Sequence, residues 1–379
     1  MSNKVPQIRF NGYSDAWVQR NLGEVVDVKS GRDYKHLSEG DIPVYGTGGY
    51  MLSVDEALSQ NDDAIGIGRK GTIDNPYLLR APFWTVDTLF YAIPRVGFDL
   101  NFTFDIFQKV NWRKLDESTG VPSLSKATIN SVSTAVPSED EQIKIGGLFE
   151  KIDNLIAANQ RKLDLLKEQK KGYLQKMFPK NGAKVPELRF AGFADDWEER
   201  KFGELYKKVN EKNDLSFGKD RVISVANMYF KDTGNIRSDD AYMKTYNIFR
   251  MGDIAFEGNR SKHFSYGRFV ENTIGDGIVS HVFDVFRPIQ QFDLNYWKYA
   301  IHNERVMGPI LMTATTSSTM MTNLVAKDFL KRAILVPSYS EQKLVGSFFK
   351  QLDGIIALHQ RKLDLLKEQK KGFLQKMFV

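Results

Sequence analysis

Two segments of this chain are nearly identical and lie 200 positions apart. Gln160–Phe178 reads QRKLDLLKEQKKGYLQKMF, and Gln360–Phe378 repeats it with one difference, Phe373 in place of Tyr173. Any fold of this chain must therefore accommodate one long element twice. The agreement continues upstream as a pattern of identical residues, each recurring 200 positions later: Val136-Pro137-Ser138, Glu141-Gln142, Gly146, Phe149, Asp153 and Ile156-Ala157.

A second repeated block opens each half of the chain. Residues 5–24 and 185–204 share Val-Pro, Arg-Phe, Gly, Trp, Arg and Gly-Glu at matching positions, 180 residues apart. Between the blocks lie Val25–Ala135 and Leu205–Leu335, which are 111 and 131 residues long and show no similarity that aligns. Two near-identical frames therefore hold two different inserts.

Composition excludes several classes of protein. The chain has 379 residues, enough for two or three domains, and its 42% hydrophobic and 26% charged residues are typical of a globular protein. It has no apolar run of membrane-spanning length and no signal-like start, so we expect a cytoplasmic protein with no membrane partner. The absence of cysteine excludes disulfides and thiolate metal sites, and we expect no metal site at the five scattered histidines. The net charge of +6 permits a nucleic-acid partner without establishing one.

Each long repeat begins and continues as a helix. Ser138 with Glu141, and Ser338 with Glu341, match the capping box that satisfies two backbone donors at a helix start. Apolar residues then recur at alternating intervals of four and three, which predicts a coiled-coil seam. The seam positions are Ile145, Phe149, Ile152, Ile156, Asn159, Leu163, Leu166, Lys170, Tyr173 and Met177, then Val345, Phe349, Leu352, Ile356, His359, Leu363, Leu366, Lys370, Phe373 and Met377.

The order of the elements predicts how the helices are used. A helix from Ser138 to Met177 is about 60 Å long at 1.5 Å per residue, and it ends before Pro179 and Asn181-Gly182. If the two helices pair along their seams they must be antiparallel, with one insert at each end and an internal pseudo-two-fold axis. We therefore expect an α+β fold in which two globular domains are joined by two long antiparallel coiled-coil helices. The expected limits are 1–137 and 185–337 for the domains, 138–178 and 338–379 for the helices, and 179–184 for the linker.

The seam and the outer helix faces carry residues of several types. We expect Asn159 and His359 to specify register, and Lys170 and Lys370 to extend toward solvent. The basic run after Gln160 indicates a solvated face, with DNA or protein contact as the alternative. Further leucines widen the apolar face, and we expect them to bind a partner: Leu148, Leu155, Leu165, Leu174, Leu365 and Leu374.

Three motifs resemble catalytic sites without meeting their requirements. Gly66–Gly71 fits GxGxxG, but Asn75-Pro76 follows too closely for the helix that a dinucleotide site requires. Asp74–Tyr77 resembles the (D/N)PPY motif of amino-methyltransferases, yet has Asn at the second position. Glu168-Gln169-Lys170 fits part of a nuclease site but lies on the seam helix. We therefore expect that this chain is not an enzyme.

The inserts are typical of recognition domains. Short apolar runs separated by glycine-rich turns predict strand-rich α/β domains, and arginine, hydroxyl and backbone amide groups in such loops suit phosphates and bases. Ordinary surface loops are the alternative. The candidate DNA-binding residues are Tyr45, Thr47, Gly48, Arg69, Lys70, Thr72, Ser118, Thr119, Ser125 and Lys126 in the first insert, and Asn259, Arg260, Lys262, His263, Thr316 and Ser317 in the second.

In both repeats and in their order, the chain resembles the DNA-specificity (S) subunits of type I restriction–modification enzymes. The resemblance is carried by Val136-Pro137-Ser138 with Glu141-Gln142, by both QRKLDLLKEQKKG helices and by Ile67–Thr72, and it spans essentially the whole chain. It implies that each variable domain reads one half of a bipartite double-stranded DNA target.

The resemblance also implies the partners. The conserved helices would space the half-sites and seat two methyltransferase subunits, on which motor–nuclease subunits assemble. Cofactors (S-adenosylmethionine, ATP and Mg) are then expected on those partner subunits and none in this chain. The alternative is a non-catalytic scaffold that holds two protein ligands on a coiled-coil rod.

Overall fold

The computed structural model describes residues 5–180, 182–317 and 321–379, with Ser317 described through its backbone alone. The chain divides into two compact units, Met1–Arg161 with Gln360–Val379, and Lys162–His359. Each unit therefore contains one insert, the N-terminal part of one long helix and the C-terminal part of the other. The predicted break at Asn181 lies outside the described residues.

The first unit consists mostly of strands, followed by the first long helix. Its strands are β1 (Val18–Asn21), β2 (Val26–Ser30), β3 (Glu39–Gly46), β4 (Gly49–Val54), β5 (Ala64–Gly68), β6 (Tyr77–Leu79), β7 (Trp84–Thr85), β8 (Leu89–Pro94) and β9 (Ser133–Val136). Its helices are α1 (Leu22–Val25), α2 (Leu100–Lys109), a 3₁₀ turn (Trp112–Leu115), α3 (Lys126–Ser131) and α4 (Glu139–Lys176), the last of which continues into the second unit.

The second unit repeats this order with additional elements. Its strands are β10 (Glu198–Lys201), β11 (Tyr206–Val209), β12 (Ile223–Ser224), β13 (Tyr229–Phe230), β14 (Asn247–Phe249), β15 (Ile254–Glu257), β16 (Arg268–Glu271), β17 (Gly277–Val279), β18 (Val285–Pro288), β19 (Thr315–Ser317), β20 (Thr322–Leu324) and β21 (Ala333–Val336). Its helices are α5 (Phe202–Leu205), α6 (Asp240–Met243), α7 (Leu294–His302), α8 (Glu304–Met312), α9 (Ala326–Lys331) and α10 (Tyr339–Met377), with 3₁₀ turns at Lys219–Arg221 and Thr233–Asn235.

Both inserts contain the same central sheet although their sequences do not align. The strand order is β2-β8-β5-β6 in the first unit and β11-β18-β15-β16 in the second, and the paired strands are antiparallel. Strands β5 and β15 are buried along their whole length. A fully buried strand requires only apolar side chains, and many different sequences meet that requirement. The two inserts can therefore share a fold without sharing sequence.

In each unit, an aromatic residue just after the end of a long helix packs into the hydrophobic core. Phe378, after α10, stacks on Phe102 of α2 with ring centroids 5.3 Å apart in the first core. Phe178, after α4, stacks on Tyr296 of α7 at 5.9 Å in the second. Burying a phenylalanine contributes roughly 1.5–3 kcal/mol, so the helix ends contribute directly to the stability of both cores.

The repeated opening block and the repeated helix start bind each other. Arg9 forms a bidentate ion pair with Glu141 (2.6 and 2.8 Å), and Arg189 forms the same pair with Glu341 (2.7 and 2.8 Å). Both glutamate side chains are almost fully buried. The predicted capping boxes are therefore wrong in their second half, because each glutamate binds an arginine of the opening block instead of its own serine's backbone. The serine half is present in α10, where Glu341 N donates to Ser338 Oγ at 3.3 Å.

The repeated glutamine holds the first helix that follows the sheet of each insert. Gln142 Oε1 accepts from Asp99 N at 3.1 Å, and Gln342 Oε1 accepts from Asp293 N at 3.3 Å. Each aspartate in turn caps its helix, with Oδ1 accepting from Phe102 N in α2 and from Tyr296 N in α7 at 2.8 Å. The frame therefore holds both inserts by the same contacts.

The long helices pair in antiparallel fashion inside each unit. Lys370 Nζ binds Asp153 at 2.6 Å in the first unit, and Lys170 Nζ binds Asp353 at 2.6 Å in the second. The expectation that these lysines extend toward solvent is wrong, since each forms an ion pair across the seam. The predicted fold class is confirmed, with mixed helix-and-strand units and two long helices of 38 and 39 residues.

The polar seam residues differ in their contacts. Asn159 Nδ2 donates to Leu155 O at 2.8 Å within its own helix. His359 Nδ1 is buried, with no hydrogen-bond partner in the described part of the chain. Their role in register stays a prediction. Among the described helices, none has the length and apolarity needed to cross a membrane.

Candidate nucleic-acid interface

The end of β5 and the loop before α3 form one composite surface in the first unit. Leu124 N donates to Arg69 O at 3.0 Å, and Gly71 N donates to Pro122 O at 2.9 Å. Lys70 pairs with Ser123 in an isolated antiparallel bridge between these contacts. Residues more than 50 positions apart in sequence are thereby held side by side.

Cationic side chains converge on one ring of this surface. The Arg69 guanidinium lies 5.7 Å from the centroid of the Phe90 ring, and Lys126 Nζ lies 6.0 Å from the same centroid. Both cations are exposed. Two exposed positive charges therefore lie near one ring, an arrangement suited to an anionic ligand.

The hydroxyl residues of the surface have different roles. Asp116 Oδ1 accepts from Ser123 N at 2.9 Å and from Ser118 N at 3.0 Å, and these bonds lower the pKa of Asp116. Ser125 Oγ caps α3 through Thr128 N at 3.1 Å, so its hydroxyl maintains the loop. Ser118 Oγ is buried beside the Asp116 carboxylate, so this hydroxyl also serves the loop. The remaining candidates of this loop pair, Thr72 and Thr119, are exposed.

The hairpin between β3 and β4 carries the other candidates of the first unit. Thr47 and Gly48 form its tip, and Tyr45 packs its ring 6.1 Å from Tyr77. Tyr77 OH donates to Gly46 O, and burial raises the pKa of this phenol. Because Tyr77 lies on β6 opposite Gly66 of β5, the hairpin is joined to the strand that ends at the Arg69 turn.

The second unit brings equivalent segments together. Thr322 N donates to Gly258 O at 2.8 Å, and Asn259 pairs with Met321 in an isolated bridge. These contacts correspond to those of Leu124 and Lys70 in the first unit. The sequence analysis named these segments as separate candidates, and the structure places the two segments of each unit side by side.

The side chains on this second surface differ from those of the first. Arg260 Nε donates to Ser265 O at 3.0 Å, and Asn259 Nδ2 donates to Glu257 Oε1 at 3.4 Å. Lys262, His263 and Thr316 are exposed. The side chain of Ser317 and residues 318–320 of the hydroxyl-rich segment lie outside the described residues.

One cation of the first surface was missed by sequence reasoning. Arg113 is largely exposed and forms an ion pair with Asp74, which lowers the pKa of that carboxyl. This pair joins the turn after β5 to the 3₁₀ turn at Trp112–Leu115. The basic Arg113-Lys114 dipeptide directly after Trp112 was the signal available in the sequence. In residues 5–180, 182–317 and 321–379 no group of three or more histidine, aspartate or glutamate side chains is placed to hold a metal.

The leucines expected to bind a partner fall into two groups. Leu148 and Leu374 pack against the first core and Leu174 packs against the second, so much of their surface is already covered within the chain. Leu155, Leu165 and Leu365 are half-exposed, at 50%, 52% and 55%. Only this second group offers a substantial apolar surface to another molecule.

Comparison with known proteins also finds one domain repeated twice in the chain. A family model, the type I restriction modification DNA specificity domain, matches residues 14–168 and again residues 194–368. The MjaVIII specificity subunit of a type I restriction enzyme from Methanocaldococcus jannaschii is 20% identical over 280 residues, which cover 68% of this chain. The chain spans 64% of the length of that relative.

Solved structures show the same fold at low sequence identity. The S subunit of the type I restriction–modification system from M. genitalium matches with a TM-score of 0.68 and 15% identity over 99% of both chains. A chain from a structural study of type I complex assembly and conformational transition matches with a TM-score of 0.51 and 13% identity, covering 95% of this chain and 97% of that one. Since the two domain matches span most of its length, the chain belongs to the type I restriction–modification DNA specificity family and carries the family's DNA specificity domain twice.

Proposed function

We propose that this chain reads a bipartite double-stranded DNA target, with one half-site read by each recognition domain. The observation that carries the proposal is the matching loop pair in the two units, built by equivalent backbone contacts at Arg69–Leu124 and Gly258–Thr322. The same backbone arrangement presents different side chains in each unit. Such a pair of surfaces is suited to reading two different sequences in the same manner.

The side-chain types suggest which residues contact DNA bases and which contact the phosphate backbone. Arginine forms bidentate contacts with guanine, and asparagine forms them with adenine, whereas lysine and hydroxyl groups contact both bases and phosphates. Arg69 in the first unit and Asn259 with Arg260 in the second are therefore the proposed base readers. Lys126 and Lys262 are proposed as phosphate contacts that fix the register of the duplex.

The repeated frame supports binding of two copies of one partner. Leu165 and Leu365 occupy equivalent positions on α4 and α10 and are similarly exposed. We propose that these helix faces seat two methyltransferase subunits, through which motor–nuclease subunits join the complex. In this assembly our chain is non-catalytic and acts in the cytoplasm, and S-adenosylmethionine, ATP and Mg belong to the partner subunits. The recognition domains are assigned to 1–137 and 185–337 and the spacer helices to 138–178 and 338–379, with 179–184 as the linker.

An insert exchange tests the proposal. Val25–Ala135 is replaced by the first insert of another family member, and the methylated motif is determined by modification-sensitive sequencing of cells that carry the methyltransferase subunit. We expect one half-site to change while the other half and the gap are retained. A change in both halves would refute independent reading.

A binding experiment separates this function from that of a protein scaffold. We expect the chain with its methyltransferase subunit to bind target DNA with an affinity that falls steeply with salt, because phosphate contacts release counterions. The purified chain alone should transfer no methyl groups. Salt-independent or absent DNA binding by an assembled complex would favour the scaffold.

A further inference from the structure

Each unit contains a two-stranded ribbon with an open edge. Strand β1 pairs with β9 and β10 pairs with β21, and neither ribbon has a third strand among the described residues. Every residue of β1 is exposed. An unpaired strand edge presents backbone donors and acceptors to any extended segment that approaches it.

The register shows which backbone groups face the open edge. Leu22 N donates to Val132 O at 2.8 Å directly beyond β1, so Arg20 and Val18 also lie in hydrogen-bonded pairs, because such pairs alternate along antiparallel strands. The N–H and C=O of Gln19 then point away from β9. In the second unit, Phe202 N donates to Arg332 O at 2.8 Å, which orients Glu199 in the same way.

A pocket of matching composition lies beside each ribbon. The pockets have volumes of about 420 Å³ and 380 Å³ and are lined by corresponding residues of the opening block, the ribbon and the helix start. Asp15 and Arg20 line the first, and Asp195 and Arg200 line the second. These surfaces are repeated although the inserts between them are not.

Two arginines and one shared aspartate line each pocket, and both arginines are already paired with glutamates. Arg9 is paired with Glu141, and the corresponding Arg189 with Glu341. Arg20 is paired with Glu24 at 3.1 Å, and the corresponding Arg200 is paired in the same way with Glu204 at 3.0 Å. Within the described residues neither Asp15 nor Asp195 forms an ion pair, and both are exposed. A lysine or arginine side chain of a bound segment would complement this carboxylate in both pockets.

We propose that each ribbon and its pocket bind an extended segment of a partner, with the segment's backbone pairing with β1 or β10 and a basic side chain reaching Asp15 or Asp195. Two equivalent surfaces recognise the same ligand twice, and the two DNA half-sites differ. The occupant is therefore the same segment of each of the two methyltransferase subunits. This identification rests on the proposed function.

Site-specific photo-crosslinking tests the proposal on the full chain. p-Benzoylphenylalanine is introduced at Val18 or at Glu198, and the variant is purified with the methyltransferase subunit of the same system and irradiated. Val282, which is 71% exposed within the second insert, is the control position. We expect crosslinks from both ribbons to one and the same methyltransferase peptide, and none from the control.

The crosslinking results distinguish a failure of the proposed binding site from a failure of the proposed function. If the complex assembles and methylates DNA while the two ribbons crosslink to different peptides, to DNA, to a second copy of this chain or to nothing, the site is refuted and the function stands. If no methyltransferase binds the unmodified chain, the proposed function itself fails.

Backbone variants test the edge directly. Gln19→Pro removes an N–H that faces outward, which an edge strand tolerates, and Gln19→Ala retains it. With Glu199→Pro in the same chain we expect methyltransferase binding to weaken about fivefold per lost hydrogen bond, while the double alanine control binds normally. Asp15→Asn with Asp195→Asn should weaken binding by about two- to fivefold. Equal affinities of the proline and alanine chains, at unchanged thermal stability, would overturn the pairing.

Discussion

Gly146 lies where α4 meets the start of α2, and replacing it with alanine should separate the two helices. A Cβ at this position would lie 2.4 Å from Asp99 Oδ1 and 2.6 Å from Phe102 N. Phe102 N is a backbone atom that already donates to Asp99 Oδ1 at 2.8 Å. The methyl group therefore meets a capped helix terminus that has no freedom to rotate away.

The size of the effect follows from three contributions. Inserting a methyl group into a packed contact costs about 1–3 kcal/mol. Displacing the Asp99 carboxylate weakens an N-cap, which costs about 1 kcal/mol more. Alanine in a helix interior recovers roughly 0.5–1 kcal/mol relative to glycine. We therefore expect Gly146→Ala to reduce the free energy of unfolding by about 1–3.5 kcal/mol.

The adjacent residue provides a matched control. A Cβ at Gly147 would have no atom within 4 Å, so Gly147→Ala should stabilise the chain by roughly 0.5–1 kcal/mol. Urea unfolding followed by circular dichroism measures both changes, and hydrogen exchange of the α2 amides locates the first. Gly346→Ala, with contacts of 2.4 and 2.6 Å to Asp293 and Tyr296, should act on α7 instead. If Gly146→Ala is as stable as Gly147→Ala, the proposed contact is wrong.

Two further predictions concern the candidate interface and pH. Arg69→Ala or Arg260→Ala should weaken DNA binding by about 1–3 kcal/mol and relax one base position if the arginine reads guanine, as measured by titration of target variants, whereas a uniform loss across sequences indicates a phosphate contact. Arg250 and Arg287 bind the Glu211 carboxylate and lower its pKa, so its stabilisation is present above its unfolded pKa of about 4.3 and is lost as the pH falls through the lower folded value. The stability difference between the native chain and Glu211→Gln should therefore shrink in acid, and a difference that is constant from pH 7 to pH 3 would exclude this linkage.

The two long repeated helices were largely predictable from sequence, but the partners of their polar residues were not. The four-and-three spacing predicts both long helices, and the seam positions Phe149 and Phe349 are buried as expected. Glu141 also fits a local capping motif, yet it binds Arg9, 132 positions earlier. The spacing from Ser138 predicts a local partner for Glu141, whereas the fold places Arg9 where it forms two hydrogen bonds to the Glu141 carboxylate.

The candidate interface was predictable in part. Glycine-rich turns and hydroxyl-rich segments indicated loops suited to nucleic acid, and the pairing of Lys70 with Ser123 places two of those loops together. From sequence alone, Ser125, whose hydroxyl caps α3, could not be distinguished from its exposed neighbour Lys126. Arg113 was missed because its contact with Asp74 joins segments 39 positions apart.

The sequence by itself determined that two copies of one helical frame hold two unrelated inserts, because identity between repeats and helical periodicity are local properties of the chain. Tertiary structure decided that the inserts share one sheet order, since a buried strand such as β5 requires only apolar residues and different sequences meet that requirement. It also decided which charges are paired, as at Lys370 and Asp153, and which, as at Asp15, have no ion pair within the described residues. Long-range pairing depends on the three-dimensional approach of distant segments, and no pattern of neighbouring residues encodes it.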